Sequence, residues 1–122
     1  MAVIFSRTIR ERELRKGVSG DIDAGIVVKA FQKGIFTRIK GKDLPKNSQL
    51  MKVYATTIEG ARRIVYMLDT KSGDGFLLFY RNKNDQIGRN ITLQNPEFKV
   101  ALHKYLLILM NDIESGNIDI FN

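Results

Sequence analysis

The feature that most constrains the fold is a long amphipathic segment near the C-terminus. Asn95 can cap a helix there, Pro96 suits the first helical position, and Gly116 can end it. Between them, apolar residues recur at helical spacing and form one broad stripe: Phe98, Ala101, Leu102, Tyr105, Leu106, Leu109, Met110 and Ile113. The pattern predicts a helix whose stripe must be buried against a large apolar surface.

Three upstream segments can supply that surface. Leu50 to Thr57 alternates apolar and polar residues, as a half-buried strand does, and Arg62 to Asp69 is denser in apolar residues. Phe76 to Tyr80 is apolar throughout, which is typical of a central strand covered on both faces. Because the Gly-containing turns between these segments are short, the sequence predicts an antiparallel meander.

The N-terminal third is predicted to be mainly helical. Ala2 to Phe5 has the pattern of a short edge strand, and Ser6 to Lys16 that of an exposed helix or mobile arm, capped by Ser6 and stopped by Gly17. A second helix is predicted from Asp21 to Gly34, with an apolar face formed by Ile22, Ile26, Val27, Ala30 and Phe31. The acidic segment Asp112 to Asp119 is predicted to be a helix end followed by a tail, with a short strand or docking on the core through Ile118, Ile120 and Phe121 as alternatives.

These elements predict an α+β fold in one domain covering residues 1–122. N-terminal helices precede an antiparallel meander of three to four strands, which packs against the C-terminal helix. The longest apolar run, Tyr105 to Met110, is too short to cross a bilayer, and a secretory signal is not recognisable. Because the absence of cysteine also fits a reducing compartment, we expect a cytoplasmic protein without a membrane span. No cysteine and only one histidine are present, so a metal centre and a cofactor are not expected.

The charge balance favours an acidic partner. The chain has 20 Lys and Arg against 13 Asp and Glu, a net charge of +7, which suits nucleic acid, an acidic membrane surface or an acidic protein. Arg62 and Arg63 begin one predicted strand, and Arg81 and Lys83 follow the end of the next, so antiparallel pairing brings the two pairs together. Only one of the two consecutive arginines can join this patch, because neighbours on a strand point to opposite faces.

Three further residues can complete the patch, namely Lys52, Tyr54 and Arg89. Guanidinium groups can bind phosphates bidentately, and Tyr54 or Tyr80 can stack on an unpaired base. The competing interpretation is a solvated sheet edge that charges protect from aggregation.

Cleavage of RNA by its own 2′-hydroxyl would require a base, an acid and cations at the phosphate. The candidate cations are Arg62 or Arg63 and Arg81, and the candidate acid and base are Tyr80 and Asp85. His103 is predicted on the flank of the apolar stripe as a surface or partly buried residue, not as the acid or base.

The arrangement resembles the RelE/ParE superfamily of toxin–antitoxin toxins. The residues that carry the likeness are Met51 to Tyr54, Gly60 to Tyr66 and Phe76 to Lys83, within a region of similarity from about residue 36 to 110. By position, Arg62 or Arg63 and Arg81 match the family's phosphate-binding arginines, and Lys52 matches a basic strand position. The catalytic tyrosine that often follows the last strand in the family has no counterpart in residues 84–86.

The resemblance implies a toxin of a type II system, held inactive in a hetero-oligomer with a cognate antitoxin. RelE-like members cut messenger RNA on the ribosome without a metal, whereas ParE-like members inhibit DNA gyrase. We therefore expect a metal-independent endoribonuclease, with a gyrase inhibitor or a non-toxic protein-binding module of the same fold as alternatives.

Overall fold

The computed structural model describes residues 1–122 as one six-stranded mixed sheet with three helices. Along the chain, the elements are β1 (Val3–Ser6), α1 (Arg7–Glu13), α2 (Gly17–Lys33), β2 (Thr37–Ile39), β3 (Ser48–Thr57), β4 (Gly60–Asp69), β5 (Gly75–Asn82), α3 (Pro96–Ser115) and β6 (Ile118–Phe121). The strands lie in the order β2-β3-β4-β5-β1-β6. The predicted α+β class, the β3-β4-β5 meander and the C-terminal helix are confirmed, but the sheet has six strands, not three to four.

The two additional strands are β2, where no strand was predicted, and β6, and the position of the N-terminal strand also differs from the prediction. β1 was expected at an edge, but it lies inside the sheet, parallel to β5 through Val3 opposite Gly75 and antiparallel to β6 through Ile4 opposite Ile120. All four residues of β1 are buried. The sheet can extend in this way because β6 supplies the outer partner; residues 118–121 thus form the short strand that was an alternative to the predicted tail.

One predicted boundary of each of the first two helices was wrong, whereas the predicted cap Ser6 and the predicted stop Gly34 are confirmed. Ser6 does cap α1, accepting a hydrogen bond from the Ile9 backbone N–H, but the helix ends at Glu13, not at Lys16. Gly17 adopts a positive φ of 67° and starts α2 four residues before the predicted start. Ile22 is 56% exposed, so it does not belong to the buried face of α2 as predicted.

The sheet is covered by helices on both faces. α3 and Ile9 of α1 pack on one face, with a core that includes Leu50, Val65, Phe79, Phe98 and Leu109. α2 packs on the other, with a core that includes Val27, Phe31, Val53, Ile64, Tyr66 and Leu77. A register shift between Val65 and Tyr66 lets both Leu78 and Phe79 of β5 face α3. No helix has the length and apolar character needed to cross a membrane.

Candidate nucleic-acid interface

A small basic recess opens on the α3 face of the sheet, where the loop after β5 crosses the ends of β3 and β4. Its volume is about 170 Å³, and its lining consists of Lys52, Tyr54, Arg63, Lys83, Gly88, Arg89, Asn90, Ile91 and Thr92. Four of these side chains are cationic and none is a carboxylate. Five residues that the sequence predicted for one patch therefore meet here, and we call this site the basic recess.

Strand register places the three strand residues. Tyr54 lies directly opposite Arg63, and Lys52 lies two residues along β3, so all three side chains project from the same face. The Arg63 guanidinium lies 4.0 Å from the centroid of the Tyr54 ring, and the Lys52 ammonium lies 5.4 Å from it. Tyr54 remains 60% exposed, so its ring can still contact a ligand.

The loop that carries Arg89 is held by hydrogen bonds from its backbone to the Asp85 side chain. The Asp85 carboxylate accepts hydrogen bonds from the N–H groups of Ile87 (2.9 Å) and Gly88 (3.2 Å). A side chain at Gly88 would meet the strand, because a Cβ there would lie 2.1 Å from the Asn82 carbonyl oxygen. The loop therefore packs directly on the end of β5 and presents Arg89 at the recess.

The cations of the basic recess lack anionic partners. Lys52, Arg63, Lys83 and Arg89 take part in none of the protein's seven salt bridges. Like charges this close repel one another, so a bound anion would relieve the repulsion.

Arg81 lies beside the basic recess but is not available to it. Its Cα is opposite that of Arg63, yet its Nε and Nη2 each donate to the Glu13 carboxylate at 2.7 Å. Its Nη1 donates to Asp85 at 3.2 Å. Burial disfavours the Arg81 cation, but the Glu13 hydrogen bonds prevail and raise its pKa. The predicted phosphate-binding guanidinium is thus already paired within the protein.

The other predicted catalytic residues also lie outside the basic recess. Arg62 points to the α2 face, where its guanidinium is 3.7 Å from Glu59 and 5.9 Å from the Tyr80 ring centroid. Tyr80 is only 8% exposed, and burial together with the negative charge of Asp23 raises its pKa. Only one of Arg62 and Arg63 reaches the patch, as predicted, and that residue is Arg63.

Asp85 is committed to the loop. Partial burial favours its neutral form, but the backbone N–H groups and Arg81 prevail and hold its pKa below the ordinary value. A carboxylate with these partners is a weak base, and it does not line the basic recess.

Glu13 is the residue that the sequence analysis missed. Its carboxylate is 1% exposed and also accepts from the Tyr105 hydroxyl at 2.6 Å and the Tyr80 N–H at 2.9 Å. Burial and then the hydrogen bond to Glu13 raise the pKa of Tyr105 to about 12. The sequence has no local signal for this role, because Glu13 follows the charged residues Arg10, Glu11 and Arg12 and its partners Tyr80, Arg81 and Tyr105 lie far along the chain.

Other potential catalytic groups are distant or absent. His103 is exposed on α3 and lines a separate hollow with Lys99 and Leu106. No three His, Cys, Asp or Glu side chains cluster as metal ligands. Comparison with known protein families, curated proteins and solved structures found no match.

Proposed function

We propose that this protein is a RelE/ParE-like toxin of a type II toxin–antitoxin system that binds messenger RNA on the ribosome and cleaves it without a metal. The observation that carries the proposal is the basic recess, in which four unpaired cations surround an exposed tyrosine. Phosphate neutralisation and base stacking are the two interactions that sequence-tolerant binding of single-stranded RNA requires.

Within the basic recess, each side chain has a role that suits this chemistry. Arg63 and Arg89 can bind the scissile phosphate and stabilise the charge that develops during attack by the 2′-hydroxyl. Lys52 or Lys83 can donate a proton to the leaving 5′-oxygen, and the proton of the attacking 2′-hydroxyl passes to water, because the recess has no carboxylate or imidazole to accept it. Tyr54 can stack on a base next to the cleaved bond.

An antitoxin peptide can reach a different surface. A hollow of about 520 Å³ lies between α2 and β3 and is lined by Ile26, Lys29, Ala30, Lys33, Ile35, Thr37, Lys52, Val53, Tyr54, Ala55 and Thr56. β2 pairs only with Leu50 to Lys52, so the outer backbone edge of β3 beyond Lys52 is open to a further strand. Apolar and lysine side chains beside an open edge suit an acidic amphipathic segment, and occupation of this surface would also cover Lys52 and Tyr54 of the basic recess.

A second candidate function has one observation in its favour. The basic recess contains no carboxylate and no imidazole that could serve as a general base. A protein that only binds its target, such as a ParE-like inhibitor of DNA gyrase, would not need one.

Induced expression in bacteria, followed by primer extension on abundant messenger RNAs, tests the proposal. We expect growth arrest with new RNA 5′ ends, and loss of both in Arg63→Ala. Arg12→Ala is the matched control, because Arg12 is an exposed arginine of α1 without an ion pair. Growth arrest with intact transcripts and a DNA-damage response would instead support the gyrase candidate, and full activity of Arg63→Ala would contradict both.

A further inference from the structure

A second hollow adjoins the basic recess on the side of β2. Its volume is about 450 Å³, and it is lined by Arg38, Ile39, Lys40, Lys52, Ile91, Thr92, Leu93 and Gln94. Lys52, Ile91 and Thr92 line both cavities, so the two are adjacent. We call the second cavity the β2 hollow.

The β2 hollow extends the cationic character of the first site. It adds Arg38 and Lys40 to the lining and again contains no carboxylate. Neither of these side chains takes part in a salt bridge. The linings of the two adjacent cavities therefore include six cationic residues and no carboxylate, an arrangement that a chain of phosphates would stabilise.

The cations are spread across the sheet. Arg63 is on β4, Lys52 on β3 and Arg38 on the edge strand β2. Because Arg38 lies opposite Met51 and Thr37 lies opposite Lys52, the Arg38 side chain leaves the sheet from the other face and meets the β2 hollow only around the open edge of β2. Two strand spacings separate β4 from β2, which is about 10 Å. Positive charges at successive intervals along a groove match a polymer with repeated phosphates better than a single nucleotide.

The β2 hollow also has an apolar wall. Ile39 and Ile91 are buried at its base, and Leu93 is partly buried beside them. Such a wall can contact the face of an unpaired base, while Arg38 and Lys40 bind the phosphate next to it. A duplex would keep its base faces stacked and could not use this wall.

We infer that the β2 hollow is a second nucleotide subsite, so that the ligand is a single-stranded RNA segment that extends over both cavities. This inference rests on the proposed function, because it assumes that the basic recess binds RNA. It goes further by assigning Arg38 and Lys40, which lie outside the basic recess, to a flanking nucleotide.

Fluorescence anisotropy with a labelled dinucleotide and a labelled hexanucleotide RNA tests the inference. We expect wild-type protein to bind the hexanucleotide more tightly. The double variant Arg38→Ala/Lys40→Ala should lose about tenfold in hexanucleotide affinity, with a salt dependence shallower by about 1.4 in the log–log slope, because two phosphate contacts are lost. Its dinucleotide affinity should not change.

The control is Arg12→Ala/Lys16→Ala, which removes the same charges from exposed positions at α1 and the start of α2. It should bind both probes as wild type does, and thermal melts should show that both double variants are folded. Equal affinity of wild type for the two probes, or equal losses in the two double variants, would overturn the second subsite alone. Failure of wild type to bind either probe would overturn the proposed RNA function together with it.

Discussion

Replacing Glu13 with glutamine should destabilise the protein strongly, although the change substitutes only one atom. Each carboxylate oxygen of Glu13 accepts two hydrogen bonds: Oε1 from Arg81 Nε and the Tyr80 N–H, and Oε2 from Arg81 Nη2 and the Tyr105 hydroxyl. In either orientation, the glutamine NH₂ group would face two donors and could accept from neither. The substitution also removes the charge that pairs with Arg81.

The expected magnitude follows from burial. Breaking a buried ion pair by removal of one partner costs about 3–5 kcal/mol. Arg81 is 25% exposed and keeps its hydrogen bond to Asp85, so the lower end, about 3 kcal/mol, applies to Glu13→Gln. Because Glu13 joins α1 to β5 and α3, the loss should affect unfolding of the whole fold and not only of α1.

Urea denaturation followed by circular dichroism measures this effect. With an m value of about 2 kcal/mol/M, the midpoint of Glu13→Gln should fall by about 1.5 M. Glu11→Gln makes the same chemical change at an exposed position of the same helix and should leave the midpoint unchanged. A loss below about 1 kcal/mol for Glu13→Gln would refute the idea that this carboxylate connects the three elements.

Three further outcomes follow from other parts of the structure. Asp112→Asn should lower the free energy of unfolding by about 2 kcal/mol, because the buried carboxylate accepts hydrogen bonds from the Ser6 hydroxyl and the Thr8 N–H. Thermal melts measure this loss, and an unchanged melting temperature would contradict a stabilising role for Asp112. Burial opposes ionisation of Asp112, but these hydrogen bonds prevail and hold its pKa below the ordinary value. The ionised Asp112 should thus stabilise the fold above about pH 4 and lose this effect as the pH falls through its folded pKa. On acidification, the urea midpoint should therefore drop less in Asp112→Asn than in wild type, and parallel curves of midpoint against pH would refute this. Gly88→Ala should weaken RNA binding measured by anisotropy, because the added methyl would push the loop away from the Asn82 carbonyl oxygen, and wild-type affinity would contradict this reasoning.

The fold was predictable where its signals are local. Caps at Asn95 and Gly116 surround the stripe of α3, and short turns join β3, β4 and β5, so neighbouring residues determine these elements. β1 and β6 depend on pairing between opposite ends of the chain, Val3 with Phe121 and Ile4 with Ile120. No periodicity within either segment could reveal that contact, which is why β1 was expected at an edge. The strand count was too low mainly because β2 (Thr37–Ile39) is only three residues long and offers no alternation to recognise.

The candidate site, like the fold, was predictable only where neighbouring strands determine it. Hairpin pairing within the meander was enough to bring Lys52, Tyr54 and Arg63 to one face. Whether Arg81 is free or already paired depends on Glu13, which lies 68 residues away on α1. The residue pattern within β5 contains no information about this ion pair. The sequence therefore predicted where cations gather, but not which of them are already neutralised.

The central claim is that the unpaired cations of the basic recess bind RNA phosphates. The salt dependence of the dissociation constant for single-stranded RNA tests it most directly, with wild type, Arg63→Ala and the control Arg12→Ala compared. We expect the log–log slope to become shallower by about 0.7 in Arg63→Ala and to stay unchanged in Arg12→Ala, because a single phosphate contact is lost only in the first. Identical slopes for Arg63→Ala and wild type would contradict the account.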